Sequence, residues 1–330
     1  MKLATFRMAD QEKIGIVYSN DSAIFDLAAA AARDGRVDPT FGSMLALIDG
    51  GGRAMDRAND LFAKRSMDQD LSAEIRHVEI LAPLPEPRQM RDSMSFPLHI
   101  LQSPRGRQRL AANEKGDTEE LKRINSEPLG ELPEVYRKQP IFYITNRFSV
   151  RGTNTTVKWP RYSKVMDYEL EYGVVTKNIA ANISEKNAKN HIFGYTIFND
   201  FSARDMQAIE MEGCLGPAKG KSFDGGNVMG PWIVTPDEIG DPYHLKMEAR
   251  VNGEARSTGV SDGMLFSFEE IIAYVSQDET LMSGEFIGSG TVGNGCGLEL
   301  GRFLEHGDTV ELEVEKIGIL KNRVERAATE

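Results

Sequence analysis

Short alternating and continuous apolar runs set the texture of this chain. Residues 2–8 (KLATFRM), 13–19 (KIGIVYS) and 22–27 (SAIFDL) read as strands broken by Asp, Gly and Asn, while 27–33 and 54–63 carry helical spacing. A proline-rich stretch, LAPLPEPRQ at 81–89, reads as a stiff connector, because proline fixes φ and removes a backbone donor. Beyond Met90 longer β-type runs alternate with glycine-rich loops: QPIFYITN, DYELEYGVVT, IFGYTIFND and NVMGPWIVT. LKMEARVNGEAR predicts a hairpin turning at Asn252-Gly253, and TVELEVEKIGILKNRVE a closing strand pair. SFEEIIAYVSQDE predicts a serine-capped helix with Ile271, Ile272 and Val275 on its apolar face. Residues 102–135 are polar and charged, either helical or a mobile lid. No alternation of strand and helix supports a doubly wound sheet. The expected fold is α+β and β-dominated, with a small β-rich domain over 1–82 and a catalytic domain over 83–330.

Composition narrows the function classes. The chain has 330 residues, 40% hydrophobic and 27% charged, with a net charge of -11. That charge disfavours nucleic acid or an anionic membrane as a partner. No run approaches the roughly 18 apolar residues of a membrane span, and MKLATFRMADQEK lacks the apolar core of a signal peptide. The two cysteines, Cys214 and Cys296, have no metal-ligand spacing. A cytoplasmic, reduced protein is expected.

Acidic residues supply the candidate chemistry. Glu169 and Glu171 are two apart in DYELEYGVV, so on a strand their carboxylates share one face about 6.5–7 Å apart. A solvated strand face is the ordinary reading of such a pair. Leu170 and Tyr172–Val175 are apolar, however, and unpaired carboxylates on a buried strand are costly. Oxygen-only donors suit magnesium, manganese or calcium better than zinc. Asp200 ends the apolar run IFGYTIFND and is followed closely by Arg204, Asp205 and Gln207. Asp92, in MRDSMSFPLHI, has His99 seven residues after it.

The strings RDSMSFPLH, DYELEYGVV, GYTIFNDFSARDMQ, LGPAKGKSFDGGNVMGPWIVT, GSGTVGNGCGLELGRFLEHGD and IGILKNRV, in that order, resemble the fumarylacetoacetate hydrolase family over residues 83–324. The resemblance implies a mixed β-roll or barrel-like catalytic domain and a metal held by Asp92, Glu169, Glu171 and Asp200, magnesium first, with manganese or calcium as alternatives. It implies His99 as general base oriented by Glu299, and Arg204, Gln207 and Lys221 around an oxyanion. Tyr143 and Thr291 fall at substrate-binding positions, and Met211 stands where a second substrate tyrosine is expected. The implied activity is hydrolysis of a carbon–carbon bond in a β-diketone or acylpyruvate-type acid, in catabolism of aromatic or cyclic compounds, by a homodimer acting on a keto acid or dione. A 2-keto acid hydratase, isomerase or decarboxylase is the alternative. No serine lies in a G-x-S-x-G setting, which argues against a serine hydrolase.

Overall fold

The computed structural model describes residues 1–326 and is dominated by two sheets. The larger, of eleven strands, runs through Ser72–Glu74, Ala23–Asp26, Gln11–Tyr18, Lys2–Met8, Asn227–Val234, Ile192–Asp200, Leu170–Thr176, Phe286–Gly288, Met90–Ser93 and Phe142–Ile144, with Glu79–Ile80 added beside Lys2–Met8. It is an open path, not a closed barrel, and mostly antiparallel; Phe286–Gly288 and Met90–Ser93 run parallel. Five strands form the second sheet, in the order Glu254–Val260, Lys246–Val251, Thr309–Val314, Gly318–Arg326 and Thr156–Trp159. The α+β, sheet-dominated expectation holds.

Local chemistry explains most elements. Asn252 sits at φ 53° and Gly253 at φ 80°, the left-handed pair that a tight hairpin needs, and the flanking strands pair from Val251↔Glu254 onward. Ser267 caps the helix Phe268–Val275 in a reciprocal box with Glu270. The helix expected over 54–63 is the second part of a longer one, Met44–Arg65, bent where Gly51 leaves helical geometry at φ 60°, ψ -148°. The polar 102–135 region is mainly helical: Pro97–Lys115, Thr118–Ser126 and Val135–Lys138. Polar composition hid this, because the first of these helices buries a few small residues, Ser103, Gly106 and Ala112 among them, and not a broad apolar stripe. No helix among the described residues is long and apolar enough to cross a membrane.

The strand expected over 167–176 splits. Met166–Asp167 pairs with Ser202–Ala203, Glu169 makes an isolated bridge to Cys296, and only Leu170–Thr176 joins the large sheet. This change of partners puts Asp167, Glu169 and Glu171 beside three different segments.

The large sheet also crosses residue 82. Lys2 and Leu3 pair with Val234 and Ile233, in the middle of the second half of the chain. One apolar cluster joins Leu3, Ile14, Phe25 and Phe41 to Phe193, Met229, Ile233 and Phe286. A fragment beginning at Pro83 would leave Ile233 and Val234 without their partners on the first strand and expose those side chains. It is expected to melt without a cooperative transition by circular dichroism, whereas the whole chain melts cooperatively; a sharp transition in the fragment would show an independent domain.

Candidate active site

Three strands within one four-strand stretch of the large sheet deliver the carboxylates. Asp92 sits on Met90–Ser93, Glu171 on Leu170–Thr176 and Asp200 at the end of Ile192–Asp200. Between the first two runs Phe286–Gly288, where Gly288 pairs with both Asp92 and Gly173. A Cβ on Gly288 would lie 2.3 Å from Asp92 Oδ1, so a side chain there would fill the space that Asp92 occupies. Carboxylate oxygens of Asp92, Glu171 and Asp200 lie within 4.8 Å of one another, and all three residues are buried.

Each of these groups keeps one oxygen without a partner: Asp92 Oδ1, Glu171 Oε2 and Asp200 Oδ1. Two of the remaining oxygens are engaged. Thr291 Oγ1 donates to Glu171 Oε1 at 2.9 Å, while the Tyr143 hydroxyl and Lys221 Nζ (2.6 Å) both reach Asp200 Oδ2. Three orphaned, buried oxygens from an all-carboxylate set fit a divalent cation of the oxygen-preferring kind. Tyr143 and Thr291, expected to meet substrate, thus face the cavity while holding these carboxylates.

Glu169 stands apart from that trio. Its carboxylate is taken by Arg204 at 2.8 Å and by Lys221. Burial alone would raise its pKa, but the two cations outweigh it and hold the group well below the usual carboxylate range. The trio moves oppositely. Burial first, then neighbouring carboxylates, pushes Asp92 and Glu171 well up. Burial raises Asp200 to about 6 even against the opposing charge of Lys221.

His99 lies in the first turn of Pro97–Lys115, with Nδ1 3.1 Å from Glu299 Oε1. Glu299 Oε2 accepts from the Cys296 backbone N–H at 3.1 Å, which fixes the carboxylate from behind. The expected pairing across 200 residues of sequence is therefore present in the geometry. Arg204 Nη1 donates to Gln207 Oε1 at 2.9 Å, leaving the Gln207 amide nitrogen as the donor on the cavity side.

Asp167 was not among the expected site residues. It is fully buried, accepts from Arg204 Nε at 2.8 Å, and also takes the backbone N–H groups of Gly297 (2.7 Å) and Leu298 (2.8 Å). One carboxylate thus ties Arg204 to the short helix that carries Glu299. A Cβ on Gly297 would meet Asp167 Oδ1 at 2.5 Å, so the close approach requires glycine. The signal was in the string DYELE, where acidic residues at 167, 169 and 171 keep a period of two.

Asp92, His99, Tyr143, Glu169, Glu171, Arg204, Gln207, Met211, Lys221 and Thr291 line one cavity of about 310 Å³; Glu299 and Asp200 stand behind it through their partners. Met211 lies at the rim, 39% exposed, where its thioether supplies apolar surface and no hydroxyl. Arg107, on the helix that bears His99, also lines this cavity. Its Nη1 donates to Ser103 Oγ at 3.0 Å, and no carboxylate among the described residues pairs with it. Burial, then the charge of Arg204, holds its guanidinium below the usual range.

Fold and site define a sheet-based enzyme whose cavity is built around clustered carboxylates and an imidazole–carboxylate pair. The chain belongs to the fumarylacetoacetate hydrolase family: the model described as fumarylacetoacetate (FAA) hydrolase C-terminal matches residues 110–325. Asp92 and His99 precede that match. Over 98% of this chain and 100% of the relative, it is 30% identical to an oxaloacetate tautomerase of Bacillus subtilis. It is 36% identical to the 2,4-didehydro-3-deoxy-L-rhamnonate hydrolase of a Sphingomonas strain, over 56% of this chain and 65% of that one. Among solved structures, the fumarylacetoacetate hydrolase of psychrophilic Exiguobacterium antarcticum superposes with a TM-score of 0.71 at 26% identity, covering 99% of this chain and 100% of the other. The full-length tautomerase match favours the same-fold alternative over carbon–carbon hydrolysis, the activity expected first.

The raised carboxyls make a testable statement about pH. Without a cation the folded state binds more protons than the unfolded one, so this stabilisation is complete below the ordinary Asp value of 3.8 and is lost as pH rises through about 6 and above. A divalent cation substitutes for those protons. The gain in melting temperature from magnesium or manganese over a chelator control should therefore be larger at pH 8 than at pH 5. Equal gains at both pH values, or none, would show that the trio does not hold the ion.

Proposed function

We propose that this chain is a divalent-cation-dependent enzyme that interconverts the keto and enol forms of a 2-keto dicarboxylic acid of the oxaloacetate type. The observation that carries the reading is the His99–Glu299 pair, whose imidazole lines the same cavity as Asp92 and Glu171 of the carboxylate trio. A tautomerase has to take a proton from the carbon beside the keto group and return one to oxygen. With Nδ1 donating to Glu299, Nε2 is left as the basic nitrogen, and Glu299 stabilises the imidazolium that forms. Nε2 takes the carbon-bound proton, and the same imidazolium returns it to the enolate oxygen, so the atoms balance with no co-reactant. The Gln207 amide is positioned by Arg204 to donate to developing negative charge. A divalent cation on Asp92, Glu171 and Asp200 would supply Lewis-acid polarisation of the keto oxygen, and magnesium or manganese suits that donor set.

Arg107 supports the dicarboxylate part of the reading. A cavity-facing guanidinium without a carboxylate of its own is suited to a second carboxylate on the substrate, in a charge-assisted, bidentate pair. Hydrolysis of a carbon–carbon bond is the second reading, supported by the Sphingomonas relative, because the same imidazole could deprotonate water. We also carry a cytoplasmic homodimer as part of the proposal. Exposed Ile144 and Phe148, beside the Tyr143 strand, offer apolar surface for a second copy, and light scattering reads the mass.

Keto–enol exchange of oxaloacetate, followed by ultraviolet absorbance in the presence of manganese, should be catalysed by the wild type. His99→Ala should lose about 10²-fold or more in kcat, the usual contribution of a placed base. Wild-type cleavage of acylpyruvates into two acids, seen by mass, with no enol exchange, would favour the hydrolase instead.

Arg107→Leu should raise KM for a dicarboxylate roughly 10–100-fold, the scale of a lost hydrogen bond to a charged group, and leave a monocarboxylic 2-keto acid unaffected. Equal losses on both substrates would remove Arg107 from substrate recognition.

A further inference from the structure

The Cys296 thiol has no part in the reaction proposed above, in which only its backbone N–H serves, yet it lies against Glu299, the partner of the base. It is fully buried at the start of the short helix Gly297–Leu300, with Sγ 3.4 Å from Glu299 Oε2. The other oxygen of Glu299 is 3.1 Å from His99 Nδ1. One ligand atom each from His99, Cys296 and Glu299 lie within 4.8 Å of one another. Bond lengths of about 2.0–2.3 Å in a tetrahedral zinc site imply ligand–ligand edges of about 3.3–3.7 Å. The three side chains are therefore already near the spacing that such an ion needs. Their donor mix also differs in kind from the neighbouring trio: one sulfur, one nitrogen and one oxygen against three oxygens. Softer, zinc-like cations favour the first set, and magnesium or manganese the second. Of the three, His99 lines the cavity, while Cys296 and Glu299 are buried behind it.

We propose that His99, Cys296 and Glu299 form a second cation site, for a thiophilic divalent ion of the zinc class, and that its occupation silences the enzyme by engaging the general base. On binding, the Cys296 thiol releases its proton to solvent as sulfur binds the ion, and the imidazole proton moves from Nδ1 to Nε2. The silencing rests on the proposed role of His99; the binding does not, so the two are read separately.

The test uses the full chain carrying Cys214→Ser, which removes the exposed thiol, with magnesium saturating. Cobalt(II), a spectroscopic substitute for zinc, should give a near-ultraviolet thiolate-to-cobalt charge-transfer band that saturates at one equivalent and disappears when Cys296→Ser is added. Serine is a favoured residue at a helix start, so the second variant should fold and keep basal turnover, which its melting curve and rate verify. Micromolar zinc should inhibit the Cys214→Ser protein, and the double variant should be at least about tenfold less sensitive, in keeping with the loss of a group that supports a metal site. No cobalt band, or a band that survives Cys296→Ser, overturns the site. A cobalt band without zinc inhibition would instead count against His99 as the base and leave the site standing. Zinc inhibition that is equal in both proteins and relieved by excess magnesium places the ion on the carboxylate trio and overturns the silencing role.

Discussion

Charge compensation in a buried space is the constraint on which this molecule turns. Asp92, Asp167, Glu169, Glu171 and Asp200 are all buried, and the buried cations among them are Arg204 and Lys221. Placing carboxylates out of water is tolerable only when each is paired, protonated or bound to an ion. Asp167 and Glu169 are settled by the two cations and by backbone N–H groups. Asp92, Glu171 and Asp200 carry the remainder, and their orphaned oxygens and raised pKa values are two expressions of one deficit. Strand order, the bare Gly288 and the change of partners after Asp167 all serve to bring that deficit to one point.

Much of the fold was legible because strands and turns carry local signals. The runs 2–8 and 192–200 match their strands residue for residue, and the Asn252-Gly253 turn lies where a two-residue hairpin must. Two things escaped. Met166–Asp167 and Leu170–Thr176 look like one strand because periodicity does not record which neighbour a strand pairs with. The helices over 97–138 were obscured because they bury a few small side chains, which leaves no wide apolar stripe.

For the site, residue types were legible and their division of labour was not. The E-x-E pair suggested two equivalent ligands, yet Glu171 faces the open trio while Glu169 is neutralised by Arg204 and Lys221. Those two cations depend on long-range folding, and no spacing along the chain shows which carboxylate they will choose. The same residue set would suit hydrolysis and tautomerisation alike, because both need a base beside a polarised carbonyl, acting on water in the first and on the neighbouring carbon in the second. Choice between them lies in what else enters the cavity, water or only the substrate.

The pairing of the first strand has a consequence for synthesis. Residues 2–8 leave the ribosome well before Asn227–Val234, whose end pairs with Lys2 and Leu3. All the residues between these two strands must be made before those hydrogen bonds can form. Until then the nascent chain presents Leu3, Phe25 and Phe41 without the Phe193, Ile233 and Phe286 side chains that cover them. Contacts of such long sequence separation form slowly and leave apolar edges open to wrong partners. The early segment is thus covered late, although it is made before the strands that cover it.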